Sequence, residues 1–172
     1  LASNTDGPSN TALGKNALYA NTTGSSNLAF GNNALASNTS GNSNEAFGVN
    51  ALYSNTTGSN NLASGSRALR NNTTGNYNIA SGYKAGEVIT TGSNNIIIGY
   101  EAEPSANDAS NQIVIGKGAT GQGDNYAVIG NADVSRVYAA QDAGATLYAG
   151  GLNIGGTAVS STAAELNILD GV

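Results

Sequence analysis

The stretch Asn21–Leu35, with the sequence NTTGSSNLAFGNNAL, is one unit of a repeat that fills most of this 172-residue chain. The pattern returns at 38–52 and 55–69, and less completely at 72–85. A column of alanines and two columns of glycines recur every 17 residues, in register with one another. A short fixed period is typical of stacked units, each too small to hold a core alone. The most regular glycine column consists of Gly14, Gly31, Gly48, Gly65, Gly82, Gly99 and Gly116.

One unit contains two turn signals and two short apolar runs. Asn21–Gly24 predicts a turn in which the asparagine bonds nearby backbone and the glycine adopts a positive φ. Leu28–Phe30 is an apolar run that Gly31 closes, and Ala34–Leu35 is a second run after another turn. Glycine recurs too often for a helix of about ten residues. The unit therefore predicts an all-β fold, a parallel β-solenoid built of 17-residue coils.

An asparagine precedes the first apolar run in each unit. Identical amides at the same corner of successive coils predict a ladder with a spacing of about 4.8 Å. Sugar or ion binding is the alternative interpretation of this column. Its members are Asn10, Asn27, Asn44, Asn61, Asn78 and Asn95.

The first apolar run predicts a strand with two apolar faces, because neighbouring residues of a strand point to opposite sides. One face fills the interior of the coil, and the small alanine at the centre of the run suits a thin interior. The other face then needs a cover, which three chains around a common axis would supply. A lone monomer is accordingly expected to have low stability. Packing in the trimer or in the core is predicted for Phe30, Phe47, Ile98, Ile115 and Ile129.

Composition argues against several classes of function. The net charge is -5 and the six basic residues are scattered, which argues against nucleic-acid binding. The chain has no Cys and no His, so thiol and histidine-based catalysis, zinc sites and disulfides are not expected. No apolar run approaches the roughly 20 residues of a membrane span. Glu101 and Glu103 are the only close carboxylate pair, and we interpret them as solvated loop charges rather than as a pair that cleaves polysaccharide.

The repeated N-x-A-x-G pattern, as in Asn27–Gly31, resembles the head repeats of YadA-like trimeric autotransporter adhesins over about residues 4–130. This resemblance implies a left-handed parallel β-roll in which three chains pack around one axis. The unit of 17 residues is longer than the usual coil of that family. Two later segments, Ile129–Val137 and Thr162–Gly171, resemble segments of phage tail fibres.

Three regions are expected along the chain. Residues 1–130 form the YadA-like β-solenoid, and residues 131–160 form a β transition segment. Residues 161–172 form a short helix, because Thr162 and Glu165 have capping-box spacing. The chain is expected to continue beyond Val172.

These observations lead us to expect a mechanical role without enzymatic activity, cofactor or metal. The first hypothesis is a shaft segment of a homotrimeric phage tail fibre, located in the virion. Such a shaft joins other tail or baseplate proteins and positions a tip, outside this segment, that binds a host cell-surface receptor. The alternatives are the head of a bacterial trimeric adhesin that binds host surface or matrix, and a polysaccharide-degrading tailspike. Neither nucleic acid nor a membrane is an expected partner.

Overall fold

The computed structural model describes residues 3–137, together with the backbone of Asn153–Ile154 and Thr157–Ala158. Residues 3–137 contain no helix and form stacked coils, each with one strand of three residues. The parallel β-solenoid predicted from the repeat is therefore confirmed. The eight strands are β1 (Thr11–Leu13), β2 (Leu28–Phe30), β3 (Glu45–Phe47), β4 (Leu62–Ser64), β5 (Ile79–Ser81), β6 (Ile96–Ile98), β7 (Ile113–Ile115) and β8 (Ala127–Ile129).

The strands lie in chain order in one parallel sheet, and the sequence period sets their register. Ala29 pairs with Ala46, so equivalent residues of successive coils, 17 positions apart, stand side by side. The last step is shorter, because Val114 pairs with Val128 only 14 positions further on. The unequal spacing of Gly116 and Gly130 in the sequence marks the same shortened coil.

The centre of each strand faces the interior of the solenoid. Ala29 and Ala46 are fully buried, whereas the flanking Phe30 and Phe47 are exposed. This out–in–out pattern follows from the alternation of side chains along a strand. The small alanine therefore fills the thin interior, and the larger flanking residues face outward.

The second apolar run completes the core without forming a strand. Ala34 and Leu35 are fully buried within a turn, and Leu35 has a φ of 51°. A left-handed backbone costs a residue with a side chain roughly 1–2 kcal/mol, which burial of a leucine side chain, worth about 2 kcal/mol, offsets. The same conformation, with φ between 48° and 51°, recurs at Leu18, Leu52 and Leu69.

The core keeps its volume although its residues change along the rod. The leucine column ends at Leu69, and Gly86 occupies the next position. A Cβ on Gly86 would lie 3.4 Å from Ile89 Cδ1, so Ile89 fills the space that the missing leucine leaves. In the following coil the strand centre changes from Ala80 to Ile97, which is also fully buried. Large and small residues thus exchange places across the interior, as close packing requires.

The two glycine columns have different physical causes. Gly31 has a φ of 146°, and a Cβ there would also lie 2.5 Å from the carbonyl oxygen of Gly48. The positive φ predicted for Gly24 was wrong, because its φ lies outside the left-handed region. A Cβ on Gly24 would instead collide with Gly41 O and lie 2.5 Å from Asn21 Oδ1. This second column is glycine because coils approach closely, and not because of backbone conformation.

The chain leaves the sheet after β8 through a turn in which Val134 N donates to Asn131 O over 3.1 Å. The chain consists of two compact units, Leu1–Ser135 and Arg136–Val172. In the second unit, β9 (Asn153–Ile154) pairs antiparallel with β10 (Thr157–Ala158). These strands fall in the predicted transition segment, and the helix predicted over 161–172 lies outside the described residues.

Candidate functional site

The asparagine column that precedes the strands forms a buried ladder. The backbone N of Asn27 donates to Asn10 Oδ1 over 2.9 Å, and the backbone N of Asn44 donates to Asn27 Oδ1 over 3.0 Å. Asn27 Nδ2 donates to Gly41 O over 2.8 Å. The bonds continue through Asn61 and Asn78 to Asn95, where Gln112 takes over. Because the amides from Asn27 to Asn95 are buried and bonded to one another, these members of the column have no surface to offer a sugar or an ion.

A second buried ladder runs through the turn that the sequence placed at Asn21–Gly24. Asn38 Nδ2 donates to Asn21 Oδ1 over 2.8 Å and to Gly41 O over 3.0 Å. The same two bonds recur at Asn55 and at Asn72. The ladder ends there because Ile89 occupies the next position, and Asn72 Oδ1 is buried without a hydrogen-bond partner in the described chain. Sequence reasoning found the turn but missed this ladder, since turn asparagines are ordinarily exposed.

Residues predicted to pack in the trimer or the core all lie outside the core. Phe30 is 52% exposed and Ile129 is 59% exposed, and Phe47, Ile98 and Ile115 are also exposed. Phe30 neighbours Phe47 in the sheet, and Ile98 neighbours Ile115. Packing inside the coil is therefore excluded for these residues, and packing in a trimer stays a prediction.

These residues belong to a larger apolar surface, the strand stripe. It comprises the apolar side chains that flank the strand centres on the outer face of the sheet. Isolated exposed apolar residues are common on soluble proteins, but a continuous row along a whole sheet is typical of an interaction surface. Ser64 and Ser81 interrupt one edge of the row, where Leu62 and Ile79 continue it along the other edge. In the coil before Leu62, Glu45 interrupts that other edge. The members are Leu13, Leu28, Phe30, Phe47, Leu62, Ile79, Ile96, Ile98, Ile113, Ile115 and Ile129.

The carboxylates of Glu101 and Glu103 lie in different environments. Glu101 is exposed and accepts a hydrogen bond from Lys84 Nζ over 3.0 Å, which raises the pKa of Lys84. Glu103 is partly buried, and burial raises its pKa to about 7 even though Val88 N donates to its carboxylate. The interpretation of both residues as solvated loop charges was therefore wrong for Glu103. Glu87 and Glu101 lie near Glu103 and raise its pKa further, but Glu87 is paired with Arg67 and Glu101 with Lys84. A raised pKa alone does not make a catalytic pair.

Comparison of the chain with protein-family models, with curated proteins and with solved structures finds no match. Among the residues that the structure describes, no cluster of three or more His, Cys, Asp or Glu is placed to hold a metal ion. Within the same residues, no helix has the length and apolar character needed to cross a bilayer. The strand stripe, with its exposed apolar side chains, is a candidate interaction surface of the described chain.

Proposed function

We propose that this chain is a shaft segment of a homotrimeric fibre, in which three strand stripes face a shared axis. The observation that supports the proposal is that each of the eight strands presents at least one apolar side chain on the outer face of the sheet. Its side chains recur at equivalent strand positions, one coil apart, so they match a partner surface with the same coil spacing. A second and a third copy of the same chain supply such surfaces.

The stripe has enough apolar surface to stabilise association. A phenylalanine side chain buries about 200 Å² when fully covered, and Phe30 is 52% exposed in the single chain. Covering the remaining ~100 Å² contributes about 2.5 kcal/mol per protomer at ~25 cal/mol per Å². The other members of the stripe add to this contribution, which is partly offset by the entropy lost on association.

A stack of coils suits a mechanical role. Seven steps between eight strands, at about 4.8 Å each, give a rod of roughly 34 Å. Hydrogen bonds between successive coils along both buried asparagine ladders resist bending and local opening. We propose, from the resemblance of Thr162–Gly171 to phage segments, that the fibre is a phage tail fibre. In the virion it would connect tail or baseplate proteins to a tip that binds the host receptor.

The mass of the chain in solution tests the trimer. Light scattering should give three times the 17.0 kDa of the single chain. Phe30→Glu should shift the chain toward monomer and lower its stability, because it places a charge in the stripe. Val49→Glu is the matched control, since Val49 is similarly exposed at 47% but lies outside the stripe. A monomeric wild-type chain that unfolds cooperatively would overturn the proposal.

A further inference from the structure

Residues outside the strands line a groove that has a tyrosine at each end. Tyr19, Ala36 and Tyr53 are equivalent residues of three successive coils, 17 positions apart. The groove lies between the two tyrosines, is open to solvent and has a volume of about 440 Å³, within the usual range of about 300–1,000 Å³ for ligand pockets. None of its seven lining residues belongs to the strand stripe.

The ring spacing follows from the coil spacing. Tyrosines on neighbouring coils of this rod stack on one another, as Tyr83 and Tyr100 show with ring centroids 5.3 Å apart. Tyr19 and Tyr53 are separated by two coils, or about 9.6 Å, and Ala36 provides no ring between them. Tyr19 and Tyr53 therefore line a groove whose intermediate coil, at Ala36, carries no ring.

Arg70 indicates which face of Tyr53 is turned toward the groove. Its guanidinium carbon lies over the Tyr53 ring, 5.7 Å from the centroid. Arg70 occupies the coil after Tyr53, whereas Ala36 occupies the coil before it. One ring face is thus covered by the cation, and the opposite face is directed toward the gap at Ala36.

The rest of the lining is small, rigid and polar at its edge. Ala20 N donates to Ala36 O over 3.0 Å, so the floor belongs to the hydrogen-bonded stack of coils. Asn16 Nδ2 donates to Asn33 Oδ1 over 3.0 Å, and Asn33 Nδ2 continues to the next coil. Each amide has two N–H donors and uses one of them in this ladder. The second N–H of each remains for a ligand hydroxyl or carbonyl group.

We infer that this groove is a binding site for a neutral saccharide, with one pyranose ring held between Tyr19 and Tyr53. A pyranose presents apolar C–H faces to aromatic rings and hydroxyl groups at its edge. Contact on both sides needs about 3.5–4.0 Å between carbons on each side, or roughly 7–8 Å in total, which fits within the ring spacing of about 9.6 Å. All seven lining residues are uncharged, which favours a neutral ligand over a charged one. This site stands independently of the proposed trimer.

Isothermal titration of the full chain with cellotetraose and with chitotetraose tests the inference. We expect one of these saccharides to bind with a Kd of about 1 mM or tighter. Ala36→Tyr should weaken binding at least tenfold, because it fills the gap with a ring. Its fold should persist, since neighbouring coils already hold tyrosine at this position.

Removal of either tyrosine ring, with saccharide binding as the measurement, provides a second test. Tyr19→Ala and Tyr53→Ala should each weaken binding at least tenfold. Tyr100→Ala, which removes an exposed tyrosine from the distant stack, should leave it unchanged. The inference is overturned if neither saccharide binds, if Ala36→Tyr binds as well as the wild type, or if only adenosine, a planar aromatic probe, occupies the groove.

Discussion

Gly58 belongs to the same glycine column as Gly24 and Gly41, where successive coils approach closely. This close approach leads to a quantitative prediction. Gly58 has an ordinary φ, so alanine is conformationally acceptable there, but its Cβ would lie 2.5 Å from Gly75 O and would collide with Asn55 Oδ1. Carbon–oxygen contacts are normally about 3.3 Å or longer. The two coils would have to separate locally by about 0.8 Å, the difference between these distances.

Such a separation breaks hydrogen bonds between the coils. The bond from Thr56 N to Thr73 O is 2.9 Å long, and the bond from Gly58 N to Thr73 O is already 3.3 Å long. Both would exceed the length at which a hydrogen bond retains its strength. At about 1 kcal/mol each, with a further 1–3 kcal/mol for overpacking, Gly58→Ala should cost roughly 3–5 kcal/mol.

Gly118→Ala provides the control that separates crowding from conformation. Gly118 has a φ of 60°, and a Cβ there meets nothing within 4 Å. Its cost should be the strain of a left-handed alanine alone, about 1–2 kcal/mol. Urea unfolding followed by circular dichroism, at one fixed protein concentration, measures both variants. Equal destabilisation of the two variants, or a greater loss for Gly118→Ala, would refute close approach as the reason for this glycine column.

Two further predictions concern buried polar groups. Asn55→Ala should destabilise the chain by about 1–3 kcal/mol more than Asn72→Ala in urea unfolding, because Asn55 Oδ1 accepts a bond from Asn72 while Asn72 Oδ1 is already unpaired; equal losses would contradict it. For Glu103, whose pKa is raised to about 7, the folded state retains a proton that the unfolded state loses near pH 4.5. Its contribution to stability is therefore present at low pH and lost as the pH rises from about 4.5 to about 7. After allowance for partial exposure the loss is about 1 kcal/mol, and Glu103→Gln should remove this slope from unfolding curves measured at pH 5 and pH 8. Asp124 titrates outside this window, since hydrogen bonds from Ser110 N and Gln112 lower its pKa.

The sequence predicts the strands well because periodicity and alternation are direct consequences of stacking. The Asn27 column, the strand at Leu28–Phe30 and the shortened last coil all follow from spacing alone. Gly24 was misread because a positive φ and a close approach both select glycine, and only coordinates separate the two causes. The left-handed Leu35 was equally hidden, since leucine ordinarily avoids that conformation and gives no signal of it.

The groove could have been predicted from the sequence by examining the outward positions at which the repeat is not kept. Inward positions of the coil change only in compensating pairs, because together they must fill or bond the same narrow interior in every unit. The outward column of Tyr19, Ala36, Tyr53, Arg70 and Glu87 changes its chemistry at every step. An outward side chain meets no constraint from the core, so a gap, a ring or a charge can be placed there without altering the coil. On such a rod the repeated residues account for the fold, and the departures from the repeat on its outer faces are where binding sites should be sought.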